Sequence, residues 1–197
     1  MEIITVTDGQ MAENCYILAE GGKCVVIDPG LDFDAIKSKI SNLKFQVKYI
    51  LLTHGHYDHI HSLRFFTGIK VYAHAAEKRM LEDPSVNMSM YTGEPFSARN
   101  VEYYPGASHE MDGFRFIHAP GHTAGSVLIS KGGVMFTGDT LFYDTIGRTD
   151  TPTGDPDMMK ETLKIFNGVK TDTIIYPGHG DPFTLAESLK VNFFLRR

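Results

Sequence analysis

Short apolar runs alternate with turn-forming residues along the first third of the chain. Ile3-Ile4-Thr5-Val6, Cys15-Tyr16-Ile17-Leu18 and Cys24-Val25-Val26-Ile27 are separated by stretches containing Asp8-Gly9 and Gly21-Gly22. Runs of this length, bounded by Gly and Asp, predict three strands in an antiparallel meander. Asp28-Pro29-Gly30 stops the third strand. Phe33, Ile36, Ile40 and Leu43 then recur at helical spacing, with Asp32 placed to cap the helix. Val47 to Leu52 predicts another strand, and Ile60, Leu63 and Phe66 a short helix. Ile69 to Ala73 predicts a strand and His74 to Leu81 a helix.

Glu82 to Met111 breaks this pattern. It carries Pro84, Pro95, Pro105 and several glycines, with Met88, Met90, Tyr91 and Phe96 among them. So long a stretch without periodicity predicts a functional loop or lid, whose apolar residues serve equally well to pack it onto the body. Beyond it, Phe114 to His118, Ser126 to Ser130 and Val134 to Thr137 read as strands, and Leu141 to Asp155 as a long loop. Met158, Met159, Leu163 and Phe166 predict a helix opened by Asp155-Pro156. Thr173 to Tyr176 is a last strand, and Leu185 to Leu195 a closing amphipathic helix. No repeat or linker divides the chain, so one domain over residues 1–197 is expected, with two sheets and helices outside them.

Composition narrows the partners. With 42% hydrophobic and 22% charged residues the chain is an ordinary globule. A net charge of −5 argues against a nucleic acid held through its phosphates. No apolar run approaches the roughly 20 residues of a membrane span. Met1 to Val6 lacks the basic start and apolar core of a signal peptide, so a cytoplasmic compartment and no membrane partner are expected. Cys15 and Cys24 lie in strand-like runs without C-x-x-C spacing, which predicts buried reduced thiols.

The chemistry concentrates in Thr53-His54-Gly55-His56-Tyr57-Asp58-His59, directly after an apolar strand. Nitrogen and oxygen donors at this density suit zinc, iron or manganese. His54 and His56, two apart on extended backbone, project to one side and can share a cation. Asp58 and His59 follow after the chain has begun to turn, which suggests a second cation. Three later strands also end in Gly followed by a potential ligand: Gly121-His122, Gly138-Asp139 and Gly178-His179. Ligands at strand ends can converge on one edge of a sheet, and Gly lets the backbone approach closely.

These blocks, T-H-x-H-x-D-H, P-G-H-T, G-D and a late G-H in that order, resemble the metallo-β-lactamase superfamily over nearly the whole chain. The resemblance implies an α/β fold, an αββα sandwich of two mixed β-sheets flanked by helices, with metals at one edge. Gly138-Asp139-Thr140-Leu141-Phe142 and Gly147-Arg148-Thr149-Asp150 are similar to the short glyoxalase II-like hydrolases, as are Asn14-Cys15-Tyr16 and Ile27-Asp28-Pro29-Gly30. That pattern implies two divalent metal ions, zinc in the first place, with iron or manganese as alternatives. It puts His54, His56 and His122 on the first metal, Asp58, His59 and His179 on the second, and Asp139 on both. Asp58 and Asp139 are thereby the catalytic carboxylates. Asp28 is expected to hydrogen-bond a ligating His. His61 stands where the family has Gly and is expected to be solvated, as are His74 and His109; His118 is expected to be a satisfied strand residue.

The expected reaction is thioester hydrolysis, as by a hydroxyacylglutathione hydrolase, with a hydroxide shared by two cations as nucleophile. A thiol with a pKa near roughly 8.5 leaves as thiolate without strong protonation. The substrate is then a small thioester such as a glutathione conjugate. Arg148 matches a basic position that binds substrate in that branch, but Asp150 replaces an expected Tyr, and pairing of Arg148 with Asp144, Asp150 or Asp155 is the other reading. The chain as given also ends before the C-terminal helical region with which longer glyoxalase II enzymes hold glutathione. The competing class is a mononuclear iron persulfide dioxygenase, which shares the G-R-T-D block. A flavodiiron protein is disfavoured by the intact His56, and a β-lactamase proper by the G-D-T-L-F block. A non-catalytic binding module is disfavoured by retention of every ligand.

Overall fold

The computed structural model describes residues 1–196. They gather into two compact units, Met1–Ala73 with Lys78–Tyr104, and His74–Glu77 with the chain from Pro105 onward.

The first unit is built on a mixed sheet whose strands lie in chain order: β1 (Glu2–Thr7), β2 (Asn14–Glu20), β3 (Lys23–Ile27), β4 (Gln46–Leu51), β5 (Val71–His74) and β6 (Val101–Tyr104). The predicted meander forms, with β1, β2 and β3 antiparallel in succession. Gly21 and Gly22 join β2 to β3 at φ +59° and +76°, the pair of positive angles a tight two-residue hairpin turn requires. β4 runs parallel to β3, so the chain crosses over between them through helix α1 (Phe33–Asn42). Asp32 caps α1 by accepting from the Ala35 amide at 2.9 Å. Ile36 and Ile40 join Ile17, Val26, Ile50 and Val71 in one apolar cluster, which accounts for the helical spacing read from sequence. Cys15 and Cys24 are buried free thiols, as expected.

Two expectations for this unit change. The helix predicted from His74 shrinks to α3 (Lys78–Glu82), because His74 closes β5 and Ala75–Glu77 forms a 3₁₀ turn; the earlier α2 (Tyr57–Ile60) carries the last two members of the His cluster, Asp58 and His59. Residues 82–111 are not a bare loop, since they supply β6 and β7 (Ser108–Met111). Val86, Asn87, Ser89 and Ala98 are buried. The Asn87 side chain donates to the Phe96 carbonyl at 2.9 Å and accepts from the Ser89 amide at 2.9 Å. Side-chain-to-backbone bonds of this kind order a segment without leaving an apolar period to read.

The sheet of the second unit runs β12-β11-β10-β9-β8-β7. These are β7, β8 (Phe114–His118), β9 (Val127–Lys131), β10 (Val134–Gly138), β11 (Ile174–Pro177) and β12 (Phe183–Thr184). Neighbours are antiparallel except β10 and β11, whose parallel pairing needs the crossover that carries helix α4 (Pro156–Leu163). Asp155 caps α4 as expected, with Pro156 in the first turn. Two-residue β12 was too short for any alternation to announce it. The predicted closing helix ends early, as α5 (Leu185–Val191) followed by a 3₁₀ turn at Phe193–Leu195. Asn192 breaks it, donating its amide to the carbonyls of Phe142 and Thr145 at 3.2 and 2.9 Å.

Candidate metal centre

In the first unit the site residues follow β3 and β4. Asp28 sits just past β3 at φ +48°, a left-handed conformation uncommon outside Gly, Asn and Asp. Its Oδ1 accepts from the Thr53 amide at 2.8 Å and its Oδ2 from the Thr53 hydroxyl at 2.5 Å. The same Oδ2 lies 3.1 Å from His59 Nδ1, and Thr53 Oγ1 lies 3.1 Å from His54 Nδ1. A hydroxyl has one hydrogen, which Thr53 gives to the carboxylate, so it accepts from His54 Nδ1–H. His59 donates its own Nδ1–H to Asp28. Both imidazoles are thereby held in the tautomer that leaves the Nε2 lone pair available to a metal. The hydrogen bond expected of Asp28 is present, and through Thr53 it governs a second histidine.

His54, His56, Asp58 and His59 are all buried. The His54 ring centroid lies 4.1 Å from that of His59 and 5.0 Å from that of His56. Gly55 separates the first two histidines because a Cβ there would lie 2.7 Å from Met80 Cγ. Glu13, which nothing in the sequence singled out, is buried with Oε1 3.8 Å from His59 Nδ1, and burial pushes its carboxyl well above the usual range.

In the second unit three strand ends converge, as the repeated strand-Gly-ligand pattern predicts. The Gly178 amide donates to the Gly138 carbonyl at 2.8 Å, joining the ends of β10 and β11. Asp139 Oδ2 then lies 3.6 Å from His122 Nε2 and 3.5 Å from His179 Nε2. Those separations are long for hydrogen bonds. They approach the roughly 3.3 Å between two donors on one tetrahedral ion with bonds of about 2.0–2.1 Å. His122 Nδ1 donates to the Arg148 carbonyl at 2.8 Å, which leaves its Nε2 as the coordinating atom. Gly147 makes this possible, since a Cβ there would stand 2.9 Å from His122 Nδ1 and collide with the Asp139 carbonyl. A donor set of imidazole nitrogens and carboxylate oxygens in this spacing fits a divalent metal.

Arg148 is exposed and its guanidinium forks onto Asp150, with Nε–Oδ1 2.7 Å and Nη2–Oδ2 3.0 Å. Of the two readings of this side chain, the structure displays the loop pairing, while the backbone carbonyl orients His122. His61 is not a freely solvated residue: it is half-buried, its Nε2 3.1 Å from Glu94 Oε2. His74, expected to be solvated, is buried and stacks on His118 at 3.9 Å and 18°. It closes β5 and meets His118 at the end of β8, far along the chain, a placement no local pattern encodes. Burial, then His118, pulls its pKa below the usual imidazole value. His118 is the satisfied strand residue expected, its Nε2 donating to the Ala124 carbonyl at 2.9 Å. His109, also expected to be solvated, is half-buried beside Phe116.

The profile of the metallo-beta-lactamase superfamily matches residues 8–179, and the chain belongs to that superfamily. More particularly, it is 31% identical over 212 residues to hydroxyacylglutathione hydrolase GloC of Haemophilus influenzae, covering 99% of this chain and 97% of that one. Among solved structures it is similar to the B3 metallo-beta-lactamase BLEG-1, at TM-score 0.87 and 32% identity over 98% of this chain and 99% of the other. It is also similar to TTHA1623 in a di-iron-bound form, at TM-score 0.89 and 30% identity over 98% and 100%. The expected αββα sandwich of two mixed sheets flanked by helices is the fold these comparisons show. They support a metallo-hydrolase and a divalent metal without specifying which metal. No helix among the described residues is long and apolar enough to cross a membrane.

Proposed function

We propose that the protein is a dinuclear metal-dependent hydrolase of small thioesters, of the hydroxyacylglutathione class. The observation that carries the reading is Asp139, one of whose oxygens lies within 3.6 Å of both His122 Nε2 and His179 Nε2, which supports a carboxylate that two cations would share. His54, His56 and His122 would hold one ion, Asp58, His59 and His179 the other, with Asp139 between them and zinc the leading identity. When bound, the ions would polarise the scissile carbonyl and lower the pKa of water toward neutrality. Asp58, in the first turn of α2, orients the attacking water by accepting its hydrogen bond. The Asp28–Thr53 pair keeps His54 and His59 presenting Nε2. Arg148, if it releases Asp150, offers its fork to a carboxylate of the thiol carrier. The thiolate departs without a dedicated acid. Likeness to GloC over nearly both chains supports the thioester assignment.

The 32% identity to BLEG-1 favours a second reading, hydrolysis of a β-lactam amide, against which the sequence argued. The two separate in one experiment. Protein purified without added metal is analysed for metal and assayed on S-lactoylglutathione, a chromogenic cephalosporin and glutathione persulfide with an oxygen electrode. About two metal ions per chain and chelator-sensitive thioester hydrolysis are expected. Turnover of the cephalosporin with an inert thioester would replace the assignment by the β-lactam one. A single iron with oxygen uptake on the persulfide would replace it by a dioxygenase.

A further inference from the structure

Glu77 is a buried carboxylate, 1% exposed, that the reaction as described does not use. It lies in His74-Ala75-Ala76-Glu77, four residues that belong to the second unit although the chain on either side belongs to the first. Its Oε2 accepts from the Gly125 amide at 2.9 Å and from the Thr123 hydroxyl at 3.0 Å. Thr123 Oγ1 lies 2.7 Å from Ser126 Oγ, and the Thr123 amide donates to that same Ser126 Oγ at 3.1 Å. Because Thr123 gives its hydrogen to Glu77, Ser126 gives its own to Thr123, and every hydroxyl in the chain points toward the carboxylate.

The loop is also pressed against Glu77. A Cβ at Gly125 would lie 2.5 Å from the Glu77 amide nitrogen and 2.6 Å from Oε2. At the other end of the same four residues, His74 stacks on His118, whose ring donates to the Ala124 carbonyl. The two ends of the segment therefore contact residues 118–126, and in sequence His122 lies between the contacted positions. A buried anion is costly unless it is met by aimed donors, and here Thr123 and Gly125, both in the loop that carries His122, donate to Oε2.

We propose that Glu77 is a positioning residue for His122, fixing the Thr123–Ser126 turn so that the imidazole keeps its Arg148 hydrogen bond and its Nε2 toward the metal. This rests on the reading that His122 holds a metal ion. The test compares wild type with Glu77→Ala, Glu77→Gln and Thr123→Val by chelator-competition titration of zinc, thermal unfolding of the metal-free protein, and NMR of the His122 ring in the metal-free state. Glu77→Ala is expected to shift the His122 ring signals and weaken one zinc equivalent about 10-fold, the low end for groups behind a ligand. Glu77→Gln keeps an acceptor oxygen and is expected to recover most of that loss, with Thr123→Val in between. A Glu77→Ala protein that melts earlier yet keeps wild-type His122 signals and zinc affinity would overturn the proposal. So would a Gln variant no better than Ala. Should Ala fail to fold, unchanged signals and affinity in both Glu77→Gln and Thr123→Val would overturn it. A wild type that binds no zinc would remove the metal reading itself, while the ring signals still decide whether Glu77 sets His122.

Discussion

The substitution Asp28→Asn tests how the chain prepares its histidines. Asparagine tolerates the φ of +48° at this position and matches aspartate in size, so the change is confined to hydrogen positions. The amide oxygen keeps the bond from the Thr53 amide, 2.8 Å away, but the new NH₂ group faces Thr53 Oγ1 and His59 Nδ1. Thr53 must then accept from that NH₂ and donate to His54 Nδ1, and His59 Nδ1 must also become an acceptor. Both rings move their hydrogen to Nε2, the atom that would coordinate. Restoring the coordinating tautomer sets donor against donor, at about 1.5–3 kcal/mol per buried mismatch. At 1.4 kcal/mol per factor of ten, metal affinity should fall about 10- to 100-fold per histidine. Without metal the flipped network is satisfied, so stability should fall by only about 1 kcal/mol, the difference between charged and neutral hydrogen bonds. The assays are zinc competition titration, urea denaturation in chelator, and ring ¹⁵N shifts of His54 and His59. Unchanged metal affinity, or stability and affinity lost in proportion, would refute the tautomer argument.

Arg148→Ala removes only an exposed fork, so melting temperature should stay within error; KM for S-lactoylglutathione should rise while a small uncharged thioester is spared, and equal losses on both would remove Arg148 from the substrate site. His74 is held neutral, donating to the Gly106 carbonyl and accepting from the Ala76 amide, with its pKa below that of the unfolded chain. The unfolded state therefore binds the extra proton, and this contribution is whole above about pH 6.5 and drains as pH falls toward the folded pKa. In metal-free protein the decline in urea midpoint between pH 7.5 and 5.5 should be shallower for His74→Phe than for wild type, and equal slopes would count against it.

Much of this protein was legible along the chain. An apolar run ending in Thr53-His54 announced β4, and largely apolar runs leading into Gly and a polar residue announced β8, β10 and β11, together with the residues at their ends, because strand ends and candidate donors are both local features. Asp32 and Asp155 announced their helices because a cap acts within three residues. What escaped were contacts between residues far apart in sequence. Nothing near Glu77 or His74 indicates burial, since Thr123 meets the first and Gly106 the second from more than 30 positions away. β12 was too short to show a period, and the 82–111 segment is ordered by polar side chains that have none. Arg148 illustrates the division most plainly. Sequence offered its guanidinium, whereas the folded chain uses its backbone carbonyl to hold His122 and turns the side chain to Asp150. The chain alone determined which donor atoms exist and at which strand ends they stand. Tertiary structure decided which ring nitrogen His59 and His122 present, because each depends on one hydrogen bond to an atom brought near only by folding, and it decided that of His54 through Asp28, which turns the neighbouring Thr53 hydroxyl.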